Sequence, residues 1–110
     1  MRLHPGGGNL IVDKVKVGAI TYEVISKPET LCLNQRECAG IINYEDATIR
    51  LNSNRSKQKV YQTFLHELFH AIFTDRDINV DNEEEIVDSL AKGLHQVIID
   101  NPDLFAKRWN

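Results

Sequence analysis

Several things are scarce in this chain, and each scarcity excludes something. Two cysteines, Cys32 and Cys38, stand among 110 residues. They are too few for a disulfide framework, and no CxxC pair marks a zinc ribbon or a redox site; both are expected to be buried or free thiols. Six glycines and three prolines are too few for a low-complexity or collagen-like chain. No apolar run approaches the roughly 20 residues that span a bilayer, and the opening MRLHPGGGNL lacks the apolar stretch of a signal peptide. The expected setting is the cytoplasm, with no membrane partner. Positive charge is short as well: 13 Lys and Arg face 16 Asp and Glu, for a net charge of −3. A nucleic-acid binder needs a basic stripe to neutralise phosphates, so none is expected as a partner.

What is present is 42% hydrophobic residues, enough for a folded globule but, at this length, for a single core. Residues 1–9 (with His4) read as a flexible lead-in, and residues 10–52 as strands. Val15, Val17 and Ala19, then Tyr22 and Val24, alternate as strands do, up to Ser26-Lys27-Pro28. The stretch Leu31 to Ala39 is ambiguous. Gly40 to Tyr44 and Ala47 to Asn52 read as a hairpin turning at Glu45-Asp46. A first helix is predicted over 57–74 and a second over 82–100, with Asp81 as its N-cap and Asn101-Pro102 as its stop. A tail over 101–110, with Leu104, Phe105 and Trp109, is expected to pack back on the body. Strands followed by helices make one α+β domain: a small mixed or antiparallel sheet of three to four strands, then two helices.

The first helix contains His66-Glu67-Leu68-Phe69-His70, an HExxH. Residues at i and i+4 are neighbours on one helix face, about 6 Å apart, so both imidazoles can reach one metal ion. Glu67 lies about 100° further round, placed to take a proton rather than to bind. Random placement gives this motif in roughly one chain of this composition in a hundred, so context decides. Val60, Tyr61, Phe64, Leu65, Leu68, Phe69 and Ile72 cover an apolar arc, and Gln62, Thr63, His66, Glu67, His70 and Thr74 form the polar stripe. An ordinary amphipathic helix with solvated histidines would carry Lys and Arg on that stripe. Between Lys59 and Arg76 there is neither.

A catalytic zinc takes three protein ligands and keeps one position open. No third histidine follows at the HExxHxxGxxH spacing, where this chain has Phe73 and Arg76. The remaining candidates are Glu83, Glu84 and Glu85 at the start of the second helix. Glu84 is preferred because Asp88, one turn on, completes an ExxxD pair and can orient a ligand histidine from behind. Glu83 is the second choice, and Glu85 points away. Against Glu84 stands a plain alternative: Asp81-x-x-Glu84 also resembles a capping box. His95, eleven residues beyond Glu84, is too far along the helix to bind the same ion and is expected on a helix flank.

The block Tyr61 to Phe73, YQTFLHELFHAIF, resembles the active-site helix of zincin metallopeptidases. Glu84 to Leu94, followed by Asp100-Asn101-Pro102, is similar to small zincin-like proteins of bacteriophages and prophages, akin to the ImmA/IrrE peptidases and minimal gluzincins. The likeness covers residues 40 to 104, but lacks the Glu-Ala-Asn segment of the ImmA/IrrE pattern. It implies Zn2+ bound by His66, His70 and Glu84, with Glu67 as general base in the hydrolysis of a peptide bond. An extended polypeptide substrate is expected to add as a strand on the edge of Thr48 to Asn52, and Tyr44, Tyr61 and Arg50 are candidate donors to the oxyanion. Two other readings use the same residues. One is a catalytically silent zincin fold with structural zinc, serving as a phage or host interaction module; the other is a metal-free helical interaction domain.

Overall fold

A computed structural model describes residues 11–106. The lead-in expected at 1–9, with His4, and the end of the tail, with Trp109, lie outside them. Among the described residues six strands precede two helices: β1 (Lys14–Val17), β2 (Ile20–Lys27), β3 (Leu31–Leu33), β4 (Arg36–Cys38), β5 (Gly40–Asn43), β6 (Thr48–Asn52), α1 (Lys57–Asp75) and α2 (Glu83–Asp100). The α+β class and the two helices are as expected, with helix ends within a residue of the predicted ones.

The strands form a four-stranded sheet in the order β1-β2-β6-β5 and a separate β3-β4 hairpin. β1-β2 and β5-β6 are antiparallel, while β2 and β6 run parallel, with Val24 opposite Ile49. Parallel neighbours need a crossover, here supplied by β3, β4 and β5. The ambiguous stretch Leu31 to Ala39 is therefore a hairpin, with Asn34 and Gln35 both at positive φ (54° and 65°). Two left-handed residues in a row make the mirror-image turn that matches strand twist. At the β5-β6 turn Ala47 takes the left-handed position (φ 55°), and Asn43 Oδ1 accepts the Asp46 N–H at 3.0 Å.

This topology overturns one expectation. β6 is not an edge: β2 pairs with it on one side and β5 on the other. The free edge next to the helices belongs to β5. The Asn52 N–H donates to Ala39 C=O (2.9 Å), so Ile41-Arg50 and Asn43-Thr48 are the bonded pairs that follow. The alternation of an antiparallel ladder then turns the N–H and C=O of Gly40 and Ile42 away from β6.

One face of the sheet is apolar. Tyr22 and Val24 of β2 and Ile49 and Leu51 of β6 pack against Val60, Phe64, Leu65 and Ala71 of α1. α2 packs on the far side of α1 through Val87 and Ala91. α1 is thus the middle element, and no residue from Val60 to Phe73 is exposed. That explains the lack of Lys and Arg there. Its N-cap is Ser56, whose hydroxyl accepts the Lys59 N–H at 3.1 Å.

Two local expectations fail. The N-cap of α2 is Asn82 rather than Asp81, and the Asn82 side chain makes no capping hydrogen bond. Glu84 turns elsewhere, as described below, and the capping box does not form. Leu104 and Phe105 do not pack back; Phe105 is 70% exposed.

Two glycines give a paired test of the packing. A Cβ on Gly40 would lie 2.6 Å from Thr63 Cγ2, whereas one on Gly93 of α2 meets nothing within 4 Å. Gly40→Ala is expected to destabilise by about 1–3 kcal/mol through overpacking. Gly93→Ala is expected to stabilise by about 0.5–1 kcal/mol, since glycine is a poor helix former. Urea denaturation measures both; a Gly40→Ala variant as stable as the parent contradicts the close approach of β5 to α1.

Candidate metal centre

The site lies where α1 and α2 meet, facing β5 across a cleft of about 920 Å³. His66 and His70, one turn apart on α1, bring their Nε2 atoms within 3.2 Å of each other. Glu84, in the first turn of α2, reaches both: Oε2 lies 2.9 Å from His66 Nε2 and Oε1 2.9 Å from His70 Nε2. The three predicted ligands therefore converge, with ligand atoms all within 4.8 Å of one another.

The outer nitrogens are also engaged. His70 Nδ1 donates to Glu83 Oε2 at 2.7 Å. His66 Nδ1 stands 3.4 Å from Asp88 Oδ1, and Lys92 Nζ holds the other Asp88 oxygen at 2.9 Å. Asp88 thus sits where the sequence placed it, behind a histidine. Glu83 has a different place from the one foreseen: it backs His70 rather than joining the convergence. A signal for it existed, because an acid adjacent to Glu84 lies about 100° round α2 and so faces a different atom of the same pair. Glu85 is exposed.

The electrostatics follow. With both Nδ1 protons directed outward, two Nε2 lone pairs and a carboxylate face one point with no proton between them. Such a set requires a cation, either a proton or a metal. In the metal-free protein the surroundings of His70 favour its charged form. Burial opposes its charged form, but hydrogen bonds to Glu83 and Glu84 and the charges of Glu67 and Glu84 outweigh that and raise its pKa. For Asp88 the hydrogen bond from Lys92 is the main influence and lowers its pKa.

Glu67 is 7% exposed. Burial pushes its carboxyl up to about 7; His70 pulls it down, and Glu84 adds to the rise. A carboxylate poised near neutrality is suited to accepting and returning a proton.

The three oxyanion candidates separate. Tyr44 lines the cleft and hydrogen-bonds Thr74, and its pKa is raised chiefly by burial, with Glu83 and Glu67 adding to it. Tyr61 packs instead on Phe64 and His95, and Arg50 is not part of the cleft wall. His95 is buried rather than on a flank: its Nδ1 lies 3.3 Å from Gln62 Oε1, and its ring centroid 5.4 Å from that of Tyr61. Cys32 and Cys38 are free thiols, but Cys32 is exposed and Cys38 half-buried. No helix among the described residues is long and apolar enough to cross a membrane.

Glu67 generates a prediction for the metal-free protein. Its carboxyl is raised from 4.5 to about 7 in the folded state. The ionisation penalty is therefore absent below pH 4.5, grows from there to about pH 7, and is complete above, reaching on the order of 3 kcal/mol. With a chelator present, Glu67→Gln should raise Tm at pH 8 and change it far less at pH 5. An equal change at both pH values in thermal denaturation contradicts the buried charge.

Comparison with known proteins adds no relative: no protein family, no curated protein and no solved structure matches this chain.

Proposed function

We propose that this chain is a minimal zinc-dependent peptidase of the zincin type, with His66, His70 and Glu84 as the metal ligands. One observation carries the reading: three lone-pair donors converge from two helices while a carboxylate backs each histidine. The donor set fits the ion. Two imidazole nitrogens and a carboxylate are the ligands of a common catalytic zinc class, and tetrahedral ligands at ordinary zinc distances stand about 3.3 Å apart. The observed separations of 2.9–3.2 Å are close to that. The openness of the site supports catalysis over a purely structural role. A structural zinc is closed by four protein ligands, whereas here the Glu84 side chain is 74% exposed toward solvent.

Bound there, Zn2+ supplies a Lewis acid that polarises a peptide carbonyl and lowers the pKa of a water toward about 7. The chain's own residues do the rest. Glu67 takes the proton of the attacking water and delivers it to the leaving amine. Glu83 and Asp88 hold the imidazoles in the tautomer that leaves Nε2 free. Tyr44, at the cleft wall, is the assigned donor to the developing oxyanion. The substrate is an extended polypeptide lying on the β5 edge, hydrogen-bonded to the outward N–H and C=O of Gly40 and Ile42.

Two variants test this. Glu67→Gln is expected to keep stoichiometric zinc and to lose cleavage of an unfolded protein substrate by at least about 100-fold. Undiminished cleavage, or a zinc-loaded parent that cleaves none of a broad panel of unfolded proteins, contradicts the proposal. Glu83→Gln should weaken zinc binding by about 10–100-fold in chelator competition. Unchanged affinity would show that the contact at His70 Nδ1 does not support the metal.

A further inference from the structure

The cleft is polarised. Glu67, Glu83, Glu84 and Asp88 gather around the histidines, while Arg36 of β4 and Lys59 of α1 line the wall elsewhere. Both cations belong to segments that one ion pair ties together. An Arg55–Glu37 ion pair of 3.1 Å fastens β4 beside the start of α1, and Lys59 lies in the first turn of that helix. The same pair occupies the carboxylate of Glu37. Neither Arg36 nor Lys59 has an ion-pair partner among the described residues. Lys59 also stands against local preference. The first turn of α1 contains no acid, although a helix N-terminus favours acids and disfavours cations.

Distance connects Lys59 to the metal centre. Lys59 and His66 are seven residues apart on one face of α1, about 10.5 Å along the axis. β5 runs alongside in the same direction: Gly40 lies against Thr63, and Tyr44 bonds Thr74. A strand on the β5 edge advances about 3.3 Å per residue. A residue about three positions from the one at the histidine pair therefore comes to lie beside Lys59 and Arg36.

We propose that Arg36 and Lys59 form a carboxylate subsite, and that the cleft selects polypeptides with a carboxylate about three residues from the reacting bond. An Asp or Glu side chain and a free chain terminus present the same group. The inference rests on the peptidase reading for the position of the bond, but the subsite has a binding readout of its own.

The test is a peptide series given to the zinc-loaded protein. The peptides are identical except for Glu, Gln or Lys at the third position on either side of the cleaved bond. A companion pair ends at that position with a free or an amidated terminus. Exposed ion pairs are individually weak, so two cations should favour Glu over Lys by about 3–10-fold in kcat/KM at low salt. The preference should shrink at about 0.5 M salt. Combined Arg36→Glu and Lys59→Glu should invert it. If that protein fails to fold, Arg36→Gln with Lys59→Gln should abolish the preference. A preference confined to the free-terminus peptide assigns the chain end as the carboxylate. Fluorescence anisotropy on zinc-loaded Glu67→Gln repeats the comparison without turnover. Cleavage with no acidic preference, or a preference that survives either double variant, overturns the subsite and leaves the peptidase reading standing. Selective binding of acidic peptides by a protein that cleaves none supports the subsite and overturns the peptidase reading.

Discussion

Three lone-pair donors on two helices point at one place, and much of the local structure follows from that convergence. His66 and His70 supply their Nε2 atoms from α1, and Glu84 meets both from α2. Without a cation the arrangement is repulsive, and in the metal-free protein the surrounding carboxylates raise the pKa of His70 despite its burial. α2 begins at Asn82 without a capping hydrogen bond from that side chain, and a missing cap costs about 1 kcal/mol. Three acids in the first turn offset part of that through the helix dipole.

The same convergence sets the layering. α1 buries Glu67 while His66 faces the cleft because it is covered on both sides, by the sheet on one and α2 on the other. Burial then raises Glu67 to about 7, at a cost to stability that an apolar side chain would not incur. A metal that binds the folded site and not the open chain adds its binding energy to folding. For a chain of this size with a single core, such a contribution is substantial.

Much of this was legible in the sequence, for identifiable reasons. The period of α1 and the lack of Lys and Arg between Lys59 and Arg76 report a helix covered on all sides, and Val60 to Phe73 has no exposed residue. The i, i+4 histidines and the Glu84–Asp88 pair are local, and helical geometry alone relates their positions. What was not legible is non-local or hangs on single torsions. The parallel pairing of β2 with β6 joins residues about 25 apart, as Glu23 with Thr48, and it moves β6 from the edge to the interior. The β3-β4 turn uses Asn34 and Gln35 at positive φ with no glycine to announce it. Glu83 and Glu84 are neighbours of one type, and only the placement of α2 on α1 separates the one behind His70 from the one facing both rings. The burial of His95 against Tyr61 likewise depends on that helix pairing.

The convergence of His66, His70 and Glu84 is proposed to hold a zinc ion. The most direct measurement is the metal content of the full chain, purified without an affinity tag and without chelators, by elemental analysis. One zinc per chain, lost in His66→Ala with His70→Ala while the fold is retained by circular dichroism, is the predicted result. Metal-free protein that also fails to take up zinc on titration contradicts it.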